Sequence, residues 1–495
     1  MNAHTPLRMS GTFAGNVWID SHGAVDEILN PATEGAYGHV AVGGLTELDR
    51  AIAVARQAFD TGPWRRMSYR DRARKMEQLH DALAARGDEI IDMIVAEAGC
   101  ARADAAGLLY AIPMQQMRAD IEDAYGRQDV QPLPYMINPG WAGDKVLGGG
   151  VKQRVPVGVV AAITPFNAGF FLNIVKMSAA LITGNSVVLK PSDLTPFQAW
   201  IIADTFQSLD FPPGIFNVVT GGLDVARALT TDPRVDLISF TGSDAVGARI
   251  MEQGAPSLKR MLLELGGKSA LIVREDANLD VAAQSAYWNI CCETGQGCVL
   301  FTRHLVHNSI KQAFLDKMQA LSTYTKVGDP ADPSVTVGPL IRARERDRVE
   351  RTVDEAVKAG AEVVFGGRRP RGLDKGYFYE PTLLTGVDNS APVARNEIFG
   401  PVGVVIGYDT DEEAIAIAND SPYGLGAGVI SADKGRGFEM ALQLDAGFII
   451  LNEGPGAKHP AAPFGGLKRS GIGRESGVEG LDAYTEVKSI LFRAG

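Results

Sequence analysis

From Val155 onward, short apolar runs alternate with stretches of helical periodicity, and this alternation limits the fold more than any other feature. "VGVVAAIT" (157–164), "SVVLKPS" (186–192), "GIFNVVT" (214–220) and "LISFTG" (237–242) are each followed by a candidate helix. After Glu264 a second series begins: "SALIVRE", "RHLVHN", "AEVVFGG", "VGVVIGY", "AGVIS" and "GFIILN", with helices expected over 309–321 and 342–359. Strand–helix alternation predicts parallel sheets covered by helices, which bind nucleotides at the carboxyl ends of their strands. Upstream, 51–58 and 70–98 carry helical spacing. The stretch 131–150 is rich in proline and glycine and reads as a linker or a projecting arm.

A chain of 495 residues is too long for one simple core, so two or more domains are expected. A net charge of −11 without a basic cluster argues against nucleic acid as a partner. The four cysteines, Cys100, Cys291, Cys292 and Cys298, form no CxxC pair, and a reducing, cytoplasmic setting is the simplest expectation. The opening residues carry no apolar signal core. The stretch 156–175 approaches the length of a membrane span, but Pro165, Asn167 and its glycines would leave backbone unsatisfied in lipid. It reads instead as a buried strand, a turn and a buried helix.

"ETGQGCVL" (293–300) sets Cys298 among small and polar neighbours. Thiolates attack carbonyls, and proteins lower thiol pKa with helix N-termini or cations. Read alone, Cys298 is as consistent with an inert buried thiol. Gly295 and Gly297 would let a substrate or cofactor approach the backbone. In "LELGGK" (263–268), which follows a run read as helical, Glu264 could be a general base or a solvated turn acid. Asn167, just past a buried strand, could donate to an oxyanion or bond its own turn. Lys190 and Asp193 in "VVLKPSD" fall at a strand end, where ribose hydroxyls would be met. "FTGSDAVG" (240–247) is a strand, a glycine turn and a helix start, which suits a pyrophosphate. His304 and His307 fall on opposite faces of a strand, so no catalytic metal is expected.

Together these motifs resemble the aldehyde dehydrogenase superfamily, of the NAD(P)-dependent hydrolytic type. The resemblance begins at "NPATEG" and runs through "TPFN", "GNSVVLKPSDLTP", "FTGSDAVG", "LELGGK", "GQGC", "EIFGPV" and "PFGGLKRSGIGRESG" to "GLDAYTEVK", with 34 positions separating Glu264 from Cys298. It implies an α/β fold: a Rossmann-type cofactor domain (1–134 and 151–264), a second α/β catalytic domain (265–470) and a small β oligomerisation arm (135–150 and 471–495). It implies a homodimer or a tetramer of two dimers. Cys298 would be the nucleophile, Asn167 with the Cys298 N–H the oxyanion site, and Glu264 the base that activates water. Lys176 and Glu475 match positions tied to proton transfer. Ile163, Thr164, Pro165, Phe166, Lys190, Ser192, Asp193, Gly242, Ser243, Val246, Leu265, Gly266, Glu397 and Phe399 match cofactor contacts.

Glu264 favours hydrolysis over transfer to coenzyme A, whose users commonly lack it. The chain departs from the family at Glu293, where Asn is frequent, and at Asp193, where Glu is frequent. An acid at 193 still favours NAD, with NADP as the alternative. The resemblance places pocket walls at Ala168, Phe171, Val175, Cys292, Gly297, Val299, Lys458 and Phe464. Several of these are small, which suggests a bulky aromatic or medium-chain aldehyde. Lys458 and His459 could instead meet the acid tail of a semialdehyde. Two rivals are a thiol esterase using the same Cys298 and Glu264, and a catalytically silent structural member, which loss of either residue would have marked.

Overall fold

The structure, a computed structural model, describes residues 7–20, 23–452 and 459–493. The first α/β unit is an eight-stranded sheet in the order Gly471–Ile472, Arg260–Glu264, Leu237–Thr241, Val159–Ile163, Ser186–Lys190, Phe216–Val218, Thr12–Ala14, Val17–Ile19. Its five central strands, from Arg260–Glu264 to Phe216–Val218, are parallel. Val159–Ile163 lies mid-sheet. The chain adds strands on one side of it, then crosses to the other, making a switch point between Ile163 and Phe240. Val159 to Ala162 and Val187 to Leu189 are fully buried, as a sheet covered on both faces requires.

The second sheet has seven strands: Glu362–Phe365, Thr382–Thr385, Val402–Tyr408, Phe301–His307, Ser269–Val273, Gly426–Ile430 and Phe448–Leu451. All its pairings are parallel except that of the edge strand Glu362–Phe365. A separate antiparallel sheet joins Thr485–Arg493 to Lys145–Pro156, with Val130–Pro132 and Met136–Pro139 beside it. It carries exposed Tyr135, Met136, Ile137, Leu491 and Phe492. No described helix is long and apolar enough to cross a membrane.

Three local expectations change. The helix expected over 70–98 is two, Tyr69–Ala84 and Gly87–Ala98. Arg86 leaves helical geometry between them and bonds Asp204 and Thr205, while Gly87 lets the Tyr110 ring pack where a Cβ would lie 2.7 Å from its hydroxyl. The run into Glu264 is the strand Arg260–Glu264, not helix. Leu262, Leu263 and Glu264 are buried in succession, so the two-residue period that marks a half-exposed strand is absent. The strand Thr382–Thr385 was not expected from the sequence; it too is buried throughout.

Asn185 ties these parts together. Its Oδ1 accepts from the Gly158 N–H at 2.8 Å, and its Nδ2 donates to the Ala180, Thr183 and Tyr484 oxygens at 3.1, 2.9 and 3.0 Å. One buried amide therefore links the ends of a helix, two strands and the C-terminal strand. Asn185→Ala leaves these groups unsatisfied and is expected to cost about 2–4 kcal/mol. Thermal unfolding checks this: an unchanged midpoint would show that the amide carries no weight.

Candidate active site

The parallel strands of the first sheet end at one edge. Ile163 pairs with Lys190 and Phe240 there, and Thr241 with Glu264. Beside that edge is a cavity of about 460 Å³. Cys298, Glu264, Asn167 and Glu475 all line it. So do Pro165, Phe166, Gly242, Ser243, Leu265, Gly266, Glu397 and Phe399 from the expected cofactor set, and Ala168, Phe171, Val175, Gly297, Val299 and Phe464 from the expected pocket.

The thiol loop owes its path to an unusual backbone. After the helix Leu279–Cys291, Glu293, Thr294 and Gly295 hold φ of 49°, 55° and 70°. Left-handed geometry is costly for the two non-glycine residues, roughly 1–3 kcal/mol each. Contacts hold it: Thr294 Oγ1 donates to the Gly338 carbonyl at 3.1 Å, Gln296 Nε2 donates to the Glu293 carbonyl at 3.1 Å, and the Ile341 N–H donates to Gln296 Oε1 at 3.0 Å. The motif has a packing role as well as the access read from its sequence. A Cβ at Gly295 would lie 2.1 Å from the Gly400 oxygen, and one at Gly297 2.8 Å from Leu300 Cγ. The glycines permit chain packing, and Gln296 braces the loop from behind.

Glu264 is 2% exposed, and neither carboxylate oxygen has a hydrogen-bond partner among the described residues. Burial raises its pKa well above the usual carboxylate range, and the charge of Glu475 adds to the rise, while Lys176 and Arg474 oppose it. Lys176, off the cavity wall and fully buried, donates to Glu475 Oε1 and to Ser239 Oγ. Burial also raises the Cys298 thiol, helped by Glu397, Glu264 and Glu293.

Glu397 accepts from the Gly267 N–H at 3.1 Å. Gly266 makes room for it, since a Cβ there would lie 2.4 Å from Glu397 Oε2. Burial pushes the Glu397 carboxyl up to about 7, against the Gly267 N–H and Lys268. Phe399 has a φ of 53°, and its ring meets the Phe166 ring edge-on at 5.9 Å.

Ile163, Thr164, Lys190, Ser192, Asp193 and Val246 lie off the cavity wall. Lys190 Nζ pairs with Asp193 at 2.9 Å, Thr164 Oγ1 donates to Asn173 Oδ1, and Ser243 caps the helix Asp244–Gly254 through the Val246 N–H. Cys292 is not a wall residue. It is buried beneath the turn, and Trp288 and Asn289 of the preceding helix face the cavity instead. Lys458 lies outside the described residues; His459 is on the wall.

The sequence reading missed several wall residues. Leu108, Leu109 and Ile112 come from the π-helical turn Ala105–Tyr110 and the helix after it. Phe448 and Ile450 come from the last strand of the second sheet. Trp288 was findable, as the aromatic residue on the helix that feeds the thiol loop. A π-turn has no sequence signature, and nothing near Leu108 marks its distant partner.

A thiol, a side-chain amide and a buried carboxylate of raised pKa around one cavity can support acyl transfer through a covalent thioester. Solved structures of aldehyde dehydrogenases are similar to this chain. An aldehyde dehydrogenase of Mycobacterium tuberculosis in complex with NAD+ matches with a TM-score of 0.94 at 37% identity, covering 99% of each chain. A variant of aldehyde dehydrogenase C from Pseudomonas syringae, in complex with NAD+ and octanal, matches at 0.91 and 34%, over 97% of this chain and 96% of that one. A betaine aldehyde dehydrogenase variant of Staphylococcus aureus, in complex with NAD+, matches at 0.92 and 31%, over 98% and 96%. The sequence model of the aldehyde dehydrogenase family matches residues 18–490, and this chain belongs to that family.

Proposed function

We propose that this chain oxidises an aldehyde to its carboxylic acid with NAD as hydride acceptor, by covalent catalysis at Cys298. The observation that carries this reading is the single cavity shared by Cys298, Asn167 and the unpartnered, buried Glu264.

The residues present suit the cofactor. The cavity opens at the switch point of a parallel sheet, beside the N-terminus of the helix Asp244–Gly254, with the Glu397 carboxylate and the Phe399 ring on its wall. The similar structures that contain NAD+ support this reading. Lys190 is already paired with Asp193, and an acid there repels a 2′-phosphate, so NAD is favoured over NADP. NAD bound there supplies the hydride acceptor.

The chain's own residues do the rest. Cys298 gives up its thiol proton to solvent water as Sγ adds to the aldehyde carbon, and the oxyanion is held by the Asn167 amide and the Cys298 N–H. Hydride loss leaves a thioester on Cys298. Glu264 takes a proton from water, which attacks the thioester and frees the acid. Lys176, bonded to Glu475, balances the charge behind Glu264 and supports movement of that proton.

The substrate end of the wall is apolar: Leu108, Ile112, Phe171, Val175, Trp288, Phe448 and Phe464. That favours a bulky aromatic or medium-chain aldehyde, and the octanal in the Pseudomonas syringae structure is in keeping with it. An acid-tailed semialdehyde would need a cation, and the wall's Arg348 already donates to Glu345 at 3.0 Å. The antiparallel arm with exposed Met136, Ile137 and Leu491 suits a homodimer or a tetramer of two dimers.

With NAD, Cys298→Ala is expected to abolish turnover. Glu264→Gln should release one reduced cofactor per site and then slow by ~10²-fold or more, because the thioester forms but is not hydrolysed. A stopped-flow trace without that burst would remove Glu264 from deacylation.

The raised pKa of Glu264 gives a sign for the pH response. A base works only when unprotonated, so steady-state turnover should fall as pH drops through that raised value, well above the ordinary glutamate value of about 4.3. A profile flat down to the ordinary value contradicts the assignment.

Octanal or benzaldehyde should exceed succinate semialdehyde in kcat/KM by ~10-fold or more, as a charged tail loses its water in an apolar pocket. The reverse order would make the chain a semialdehyde dehydrogenase.

A further inference from the structure

Asn167 has nothing to aim it at its own carbonyl end. Its Oδ1 is buried and accepts no hydrogen bond among the described residues. The backbone must therefore set where the amide points. That backbone leads into the helix Gly169–Ile182, whose first-turn N–H groups need acceptors from outside the helix. The N-cap residue is Ala168, which has no side-chain oxygen to offer. The Phe170 N–H donates instead to Gln198 Oε1, at 2.8 Å.

A second strut comes from the same place. Thr195 Oγ1 donates to the Phe166 carbonyl at 3.4 Å. Between these bonds, Gly169 packs so tightly that a Cβ would lie 3.0 Å from Gln198 Oε1 and 3.3 Å from Thr195 Oγ1. Residues on both sides of Asn167 thus rest on the segment 195–198.

That segment is fixed by the same device. The helix Phe197–Gln207 has Pro196 at its N-cap, with no side-chain cap bond. Its Phe197 N–H donates to Glu97 Oε1 at 2.8 Å, from the last turn of Gly87–Ala98. Glu97 is fully buried and Gln198 is 1% exposed. Burial pushes the Glu97 carboxyl up to about 8, against the bond it accepts from the Phe197 N–H at the helix start.

We propose that Gln198 is the positioning residue for the Asn167 amide, and that Glu97 acts through it by fixing the segment 195–198. This rests on the oxyanion role proposed for Asn167 above. Two borrowed caps, one on each helix, transmit the rigidity of Gly87–Ala98 to a cavity that Glu97 does not touch.

The test is a double-mutant cycle of Gln198→Met, which keeps the volume and removes the acceptor, with Asn167→Ala. Gln198→Met is expected to lower kcat/KM for octanal ~10- to 100-fold, as a misplaced group does, with the Kd for NAD unchanged. In the Asn167→Ala background the same change should cost less than ~2-fold, since the two residues would act as one unit. An equal loss in both backgrounds would mark a general structural effect and overturn the proposal. A crystal structure of Gln198→Met supplies a readout that needs no turnover. The Asn167 amide should shift by ~0.5 Å or more from its place on the cavity wall, the tolerance of a working site. An unmoved amide overturns the proposal even if the chain oxidises no aldehyde, whereas a shifted amide in an inactive wild type would refute the reaction alone.

Discussion

Two carboxyls and one ammonium, those of Glu264, Glu475 and Lys176, share one buried space, and the rest of the site is arranged around that fact. Lys176 can neutralise one carboxylate in a low dielectric, and its bond goes to Glu475. The carboxyl left over is Glu264, which has no hydrogen-bond partner among the described residues and whose pKa is raised by burial first and by the charge of Glu475 second, against Lys176. With the Lys176 ammonium bonded to Glu475, the Glu264 carboxyl stays above the usual carboxylate range. The first sheet is what enforces the crowding. Glu264 closes one strand, Ser239 sits in the adjacent one, Lys176 lies on a helix covering them, and Glu475 follows the strand Gly471–Ile472 that pairs with the Glu264 strand.

Much of this was legible in the sequence because parallel strands end in short, distinctive turns. "KPSD", "FTGS" and "LELGG" each stop a buried strand, and in a sheet of this topology such stops must share an edge. The strand Arg260–Glu264 itself was hidden. A strand buried on both faces has no alternation, and "RMLLE" fits a helix equally well. The split at Arg86 was hidden for a different reason, since it depends on a bond to Asp204 more than a hundred positions away. Wall residues followed the same rule. Those beside a motif, such as Ala168 and Val299, could be named, while Leu108 and Phe448 arrive from elements that carry no mark of the site. Cys292 was misplaced because adjacency in sequence fails across a turn whose backbone reverses hand.

The motif "ETGQGC" carries a packing role beside the access that its small residues suggest. Its small residues suggest open access to the sulfur. In the structure Gly295 faces the Gly400 carbonyl, and Gln296 bonds the Ile341 amide on the far side of the loop. The loop is a packed spring clip, strained at Glu293 and Thr294 and held by hydrogen bonds to two other segments, 338–341 and Asp104. Strain stored this close to the sulfur makes sense if the thiol must hold one position while a substrate enters the cavity.

The electrostatics of the thiol also reverse a common expectation. Activated cysteines sit at helix N-termini or beside cations, which stabilise the thiolate. Here the helix Leu279–Cys291 runs toward the loop with its C-terminal, negative end, and the charges that act on Cys298 are the carboxylates of Glu397, Glu264 and Glu293. These carboxylates add to the effect of burial, and both push the thiol up from its ordinary value. The burial that raises Glu264 also raises Cys298, so the two protons are governed by one environment rather than by two separate devices.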